Sequence, residues 1–271
     1  EELPSSGHMS YRELTPHPAL RPFVDRLWIR EASAATRWHR ILPDGCIDLL
    51  LDPARPQAGF VVGAMTRAVL VPVGGPSATV AVRFRPGGAT PFLRTCADQL
   101  TDARIDLGQL QLRWQPPPQL EGCRDLRQAA DLLQQALLDR LASVPSPDPR
   151  LAFAVKQLFQ QAPPAIAELA ADIGWTRQHA ARLFQRQVGI GPKLLARVAR
   201  LHRAVVEVQA RPGPSLAQAA LAAGYFDQAH MDRDFRELVG RSPAQVREDG
   251  RTDPGSIRPI RSLLGEAEPG P

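Results

Sequence analysis

The chain has 271 residues, 44% hydrophobic and 23% charged, a globular composition with room for two ordinary cores. Its formal charge of +5 rests almost wholly on arginine, since Lys156 and Lys193 are the only lysines, and no apolar run nears the ~20 residues that cross a bilayer. Glu1 to His8 lacks a basic start and an apolar stretch, so it reads as a tag remnant ahead of Met9 and not as a signal peptide; three scattered cysteines, Cys46, Cys96 and Cys123, point to reduced thiols and a cytoplasmic setting.

Residues 9–122 read as a small β-rich domain. Ile47–Leu51, Phe60–Val62, Val69–Val73 and Thr79–Phe84 are short apolar or alternating runs, punctuated at Pro43-Asp44-Gly45, Gly74-Gly75-Pro76 and Pro86-Gly87-Gly88. Such spacing predicts a small sheet or half-barrel. Ala89–Arg94 is expected as a short helix turning Phe92 and Leu93 inward, and Trp114–Gly122 as a proline-rich loop. Within residues 123–143, Arg124 to Ala142 reads as a helix with Leu126, Ala130, Leu133, Leu137 and Leu141 at helical spacing. That stripe fits packing on the sheet or a homodimer seam, and both readings stay open. Three prolines within 144–149 mark an interdomain linker, and 250–271 is expected to be disordered.

Residues 150–249 read as all helical. Leu151–Gln161 is followed by a helix over Ala165–Ile173, a turn at Gly174, and a helix capped by Thr176 running to about Val188. Some fifty residues later the arrangement recurs: Ser215 caps a helix to Ala223, Gly224 makes the turn, and Asp227 caps a helix to about Val239. Ala170 matches Ala220, Trp175 matches Tyr225, Phe184 matches Phe235, and both units close on Gly-x-x-Pro, at Gly189–Pro192 and Gly240–Pro243. A helix, a Gly turn and a second helix form the unit that presents its second helix to a DNA major groove. Pro192–Gln209 joins the two units. At 1.5 Å per residue it spans ~27 Å, close to the ~34 Å between successive major grooves on one DNA face.

With its run Ala223-Gly224-Tyr225-Phe226-Asp227 and its ending Gly240-Arg241-Ser242-Pro243, the last hundred residues resemble the DNA-binding domain of AraC/XylS-type regulators. The resemblance implies an α+β protein: an N-terminal β-rich domain with helices, then an all-α domain with two helix-turn-helix units. It implies sequence-specific transcription control, with double-stranded DNA, a small-molecule effector and RNA polymerase as partners. Base contacts are implied at Gln178, Ala181 and Arg182 in the first unit, and at Gln228, Ala229 and Arg233 in the second. Leu42–Leu49 and Val82–Gly88 resemble a cupin-like sensor domain, which names no ligand.

The residue types agree with base reading. Arg182 matches guanine O6 and N7, Gln178 matches adenine, and a methyl such as Ala181 meets thymine. Thr176, Arg177 and Arg186 suit phosphate contacts, with Arg236 as the second unit's cation. Ile173 to Val206 holds no acidic residue, so Arg197, Arg200 and Arg203 are expected to add to the phosphate-attracting field. In the second unit Asp232, Asp234 and Glu237 surround Arg233 and Arg236, and pairing among them predicts that Arg182→Ala weakens discrimination more than Arg233→Ala does.

No catalytic residue, cofactor or metal site emerges. His39, Asp44, Cys46 and Asp48 match no compact ligand spacing, and neither Cys46 nor Cys96 has a CxxC partner. Trp28, Trp38, Phe60 and Phe84 read as core aromatics or pocket lining. Two rivals remain: a DNA-repair alkyl acceptor sharing the C-terminal domain, which needs a cysteine-dense zinc site, and a nucleoid protein without sequence preference.

Overall fold

A computed structural model describes residues 9–32, 37–73, 77–110, 115–252, Ile257 and Leu264. The Gly74–Pro76 turn, Trp114, residues 1–8 and most of the tail lie outside the described residues. Period-two alternation builds the first half. Strands β1 (Met9–Leu14), β2 (Val24–Ala32), β3 (Arg37–Ile41), β4 (Ile47–Leu51), β5 (Phe60–Val62), β6 (Val69–Val73), β7 (Ser77–Phe84) and β8 (Arg104–Asp106) appear in chain order. Six make an open antiparallel sheet ordered β1-β2-β7-β4-β5-β8, while β3 and β6 pair separately.

Leu27 and Ile29 of β2, Val80 and Val82 of β7, and Leu49 and Leu51 of β4 point to one face and are buried. The short helix α1 (Thr90–Leu93) buries Phe92 and Leu93 in the same core. Helix α2 (Leu126–Leu141) lies across β2 and β7; Asp125 caps it by accepting hydrogen bonds from the Arg127 and Gln128 amides. Ala130, Leu133 and Leu137 are therefore occupied by the sheet. Trp38 departs from expectation: it is 62% exposed on the separate β3–β6 ribbon and belongs to no core.

Helices α3 (Pro149–Leu158), α4 (Ile166–Asp172), α5 (Arg177–Val188), α6 (Pro192–Gln209), α7 (Leu216–Ala222), α8 (Gln228–Asp234) and α9 (Pro243–Thr252) complete the chain. Two apolar cores divide it differently from the strand-to-helix transition. One runs without a break from the sheet into α3, α4, α5 and the first half of α6. The other joins the second half of α6 to α7, α8 and α9, and takes in Leu42 from the strand half. Parts of the tail depart from the expected disorder: α9 runs on to Thr252, Leu264 packs against the first core, and Ile257 is 4% exposed in the second, its carbonyl accepting from Gln209 Nε2 at 3.1 Å. An apolar side chain with a nearby uncovered core has reason to dock.

Polar contacts also cross between the halves. Thr101 Oγ1 donates to Gly189 O at 2.7 Å, Ala68 N to Leu238 O at 2.7 Å, and Arg40 Nη1 to Val239 O at 2.9 Å. These acceptors sit at the C-terminal ends of α5 and of the segment after α8. Gly189 adopts φ +92, and a Cβ there would meet Ala97 O at 3.0 Å, so this glycine serves both the helix end and the approach of the strand half.

Where α6 meets the strand half, His202 is buried with Nε2 2.8 Å from Pro43 O, and Asp44 lies beside Arg83 at 3.4 Å. Burial, reinforced by Arg83 and Arg203, holds His202 down at about 4. Burial lifts Asp44 to about 6 against the pull of Arg83. The stability from neutral His202 is complete above its ordinary value near 6.5 and is lost as pH falls towards 4. Asp44 acts the other way, because the folded chain takes up its proton first and gains stability as pH falls below 6. Relative to wild type, His202→Gln should gain thermal stability between pH 6 and 4 and Asp44→Asn should lose it, each by up to ~3 kcal/mol. Melting curves across that range check this, and parallel profiles for both variants would refute it.

Candidate nucleic-acid interface

In the first unit, backbone chemistry sets the turn. Gly174 at φ +72 ends α4, the Trp175 amide donates to Ala170 O at 2.8 Å, and Thr176 Oγ1 accepts from the His179 amide at 3.1 Å. Helix α5 then buries Ala180, Phe184 and Val188, leaving Leu183 half-buried. The spacing 180, 184, 188 is one helical face, so Thr176, Arg177, Gln178, Ala181, Arg182 and Arg186 are all exposed.

The second unit repeats these contacts. Ser215 and Gln218 cap α7 reciprocally, Gly224 turns at φ +86, and the Tyr225 amide donates to Ala220 O at 2.9 Å. Asp227 Oδ1 accepts from the His230 amide at 2.7 Å, and α8 continues as a π turn over Phe235–Val239. Met231 and Phe235 are buried, while Gln228, Ala229, Arg233 and Arg236 are exposed.

A further likeness between the units lies in their rings. Trp175 meets the His179 ring edge-on at 5.4 Å with the Arg150 guanidinium 5.3 Å from its centroid. Tyr225 meets His230 edge-on at 5.1 Å with Arg200 at 4.6 Å. Each turn aromatic is thus held between an arginine of an earlier helix and the histidine of the first recognition turn. The two histidines share a place after the turn glycine when one residue is slipped, a signal present in the sequence but too short to weigh.

The acidic residues behave differently from the expectation. Arg197 on α6 donates to Asp234 Oδ1 from Nε at 3.1 Å and from Nη2 at 2.8 Å, and to Glu237 at 3.1 and 2.6 Å. Arg200 reaches Asp234 Oδ2 at 3.4 Å. Hydrogen bonds to Glu237 and Asp234 hold the Arg197 guanidinium above its ordinary value, and Arg197 in turn draws Glu237 below its own. Arg203 is buried and donates to the carbonyls of Ala223, Phe159 and Gln160. Arg197, Arg200 and Arg203 therefore join the two units internally and are not a free phosphate-attracting row. Asp232 pairs with Arg236 at 3.6 Å, and Arg233 has no ion pair among the described residues. The reason to rank Arg233 below Arg182 is removed.

The side chains grouped around Cys46 do not form a reactive thiol site. Burial pushes the Cys46 thiol up, and Asp44 and Asp48 face Arg83, with Asp48 taking a fork at 3.0 and 2.8 Å. Among the described residues no helix is long and apolar enough to cross a membrane.

Two family models match the chain. Residues 169–249 match a helix-turn-helix domain, and residues 12–106 match a domain of unknown function (DUF6597). No curated protein matches. Among solved structures, a transcriptional regulator with an AraC-type DNA-binding domain from Chromobacterium violaceum is 28% identical over 40% of this chain and 96% of its own, with a TM-score of 0.36. A single-substitution variant of ToxT from Vibrio cholerae, in its apo form, is 10% identical over 90% of this chain and 98% of its own, with a TM-score of 0.39. Unsaturated fatty acid bound wild-type ToxT from the same organism is 11% identical over 90% and 96%, with a TM-score of 0.37.

Asp234 is 4% exposed whereas the Glu237 side chain is 62% exposed, so the two carboxylates should differ in weight. Asp234→Ala removes the buried acceptor that two arginines share, each of them about a quarter exposed, and should cost ~1–3 kcal/mol. Glu237→Ala should cost less than ~1 kcal/mol. Urea unfolding of the full chain measures both, and equal losses would contradict the clamp.

Proposed function

We propose that the chain is a DNA-binding transcription regulator of the AraC type, whose residues 169–249 match a helix-turn-helix domain, and that one chain reads two successive major grooves, with α5 in one and α8 in the other. Gln178, Ala181 and Arg182 face base edges in the first groove, and Gln228, Ala229 and Arg233 in the second. Thr176, Arg177, Arg186 and Arg236 flank them and neutralise phosphates. One observation carries the reading: both recognition helices key their apolar faces into cores that share α6, and both leave an arginine and a glutamine exposed on the opposite face.

The strand half is the regulatory part of this proposal. It touches the last turn of each reader, through Thr101 at Gly189 and through Ala68 and Arg40 at Leu238 and Val239. A small molecule that favours one arrangement of these contacts over another alters DNA affinity by linkage, and only to the extent of its differential affinity.

Footprinting on the upstream region of the chain's own gene, with competitor DNA present, tests the reading. Two protected patches about one duplex turn apart are expected, and protection that competitor DNA erases evenly would favour the nucleoid rival. Arg182→Ala and Arg233→Ala should each cost ~1–3 kcal/mol of discrimination, each in its own patch. Loss spread across both patches from either variant contradicts independent readers.

A further inference from the structure

We propose that Phe226 is a sequence-reading residue of the second unit, and that its ring meets the C5-methyl group of a thymine in the major groove that α8 enters. The inference rests on the two-groove reading proposed above and adds a contact to it. Phe226 immediately precedes Asp227, the N-cap of α8. An apolar residue in that place commonly folds back on the residue four positions after the cap. In the first unit Trp175 stands before the cap Thr176 and is 6% exposed. In the second unit Met231, four positions after the cap, is fully buried, yet Phe226 is 86% exposed. One additional residue between glycine and cap makes the difference: Gly174-Trp175-Thr176 against Gly224-Tyr225-Phe226-Asp227. Tyr225 takes the inward place in the second core, and the extra ring is turned out.

A single exposed apolar side chain is ordinary on a protein surface, so its neighbours decide what it does. Here they are Gln228, Ala229 and Arg233, the exposed side chains assigned above to base edges. When a helix-turn-helix unit docks, the start of its second helix is the part that meets base edges, and a residue at the entry of that helix reaches the same groove. The backbone on both sides of Phe226 is pinned. The Tyr225 amide donates to Ala220 O at 2.9 Å, and Asp227 Oδ1 accepts from the His230 amide at 2.7 Å. The ring is therefore presented on a fixed stem, which limits the entropy lost on docking. A phenyl ring has no hydrogen bond to offer a base edge or a phosphate. The apolar group that a major groove displays is the thymine methyl, and covering it with the ring removes both surfaces from water. The first unit has no counterpart to this contact, because the ring before its cap is buried.

Binding of the full chain to the duplex it enriches from a random pool tests this. The patch whose protection Arg233→Ala weakens marks the second unit, and each thymine there is replaced in turn by deoxyuridine, which removes the methyl and keeps the pairing. Wild-type affinity should fall about fourfold at one thymine, the worth of one buried methyl group. At that place 5-methylcytosine should be tolerated better than cytosine. Phe226→Ser should bind the intact duplex more weakly by at least the same factor, ignore deoxyuridine at that place, and melt no earlier than wild type. Phe226→Leu, which keeps an apolar side chain, should retain part of the dependence. A wild type indifferent to every methyl in the second patch overturns the proposal, as does a dependence that survives in Phe226→Ser or vanishes only in Ala229→Gly. Unchanged affinity of Phe226→Ser with altered transcription also overturns it and assigns the ring to a protein partner. Failure to enrich any duplex defeats the regulator reading and this contact with it.

Discussion

The buried carboxylate of Asp234 fixes how the second helix-turn-helix unit sits on α6. It sits on the last turn of α8 and binds Arg197 and Arg200, one helical turn apart on α6. Because α6 also carries the first unit through Leu195 and Ala199, this one side chain ties the second reader to the axis that positions the first. An apolar contact would hold α8 near α6 but would tolerate sliding along it. A carboxylate shared by two guanidinium groups has direction as well as strength, and it fixes register. The acidic character of the second unit thus serves internal geometry, and Arg233 is left facing outward.

The strand half is built into the reader. The core that begins between the sheet and α2 continues through Leu151, Ala154, Leu158 and Phe184 into the first unit. Leu42 enters the core of the second. A shared core means that a change in the sheet is felt as packing strain in the helices, since close-packed interiors have little slack. Hydrogen bonds from Thr101, Ala68 and Arg40 add polar contacts at the C-terminal ends of α5 and of the turn after α8. Buried His202 and Asp44 lie where α6 meets the same strand half.

Repetition explains why the two units look alike in places where their sequences barely agree. Each uses a glycine at positive φ, an aromatic amide bonded back to an alanine carbonyl, a polar N-cap, and an arginine and a histidine around the aromatic ring. Thr176 and Asp227 do the same work with different chemistry, as do Trp175 and Tyr225. The pattern shared by the units is one of hydrogen-bond roles and ring positions.

Much of this was legible in the amino acids alone, because local rules decide it. Glycine turns, N-caps at Thr176, Ser215 and Asp227, and the apolar period of α5 and α6 follow from sterics and backbone hydrogen bonding within a few residues. Hence the helix-turn-helix units, the joining helix over Pro192–Gln209 and the exposure of Gln178, Arg182, Gln228 and Arg233 could be read in advance. Partners far apart in the chain could not. Arg197 with Asp234, Arg203 with the carbonyls of Phe159 and Ala223, and Ile257 in the second core all depend on which elements meet. A charge declares its sign in the sequence, but whether it is neutralised, buried or left open is a matter of distances that only the packed chain sets.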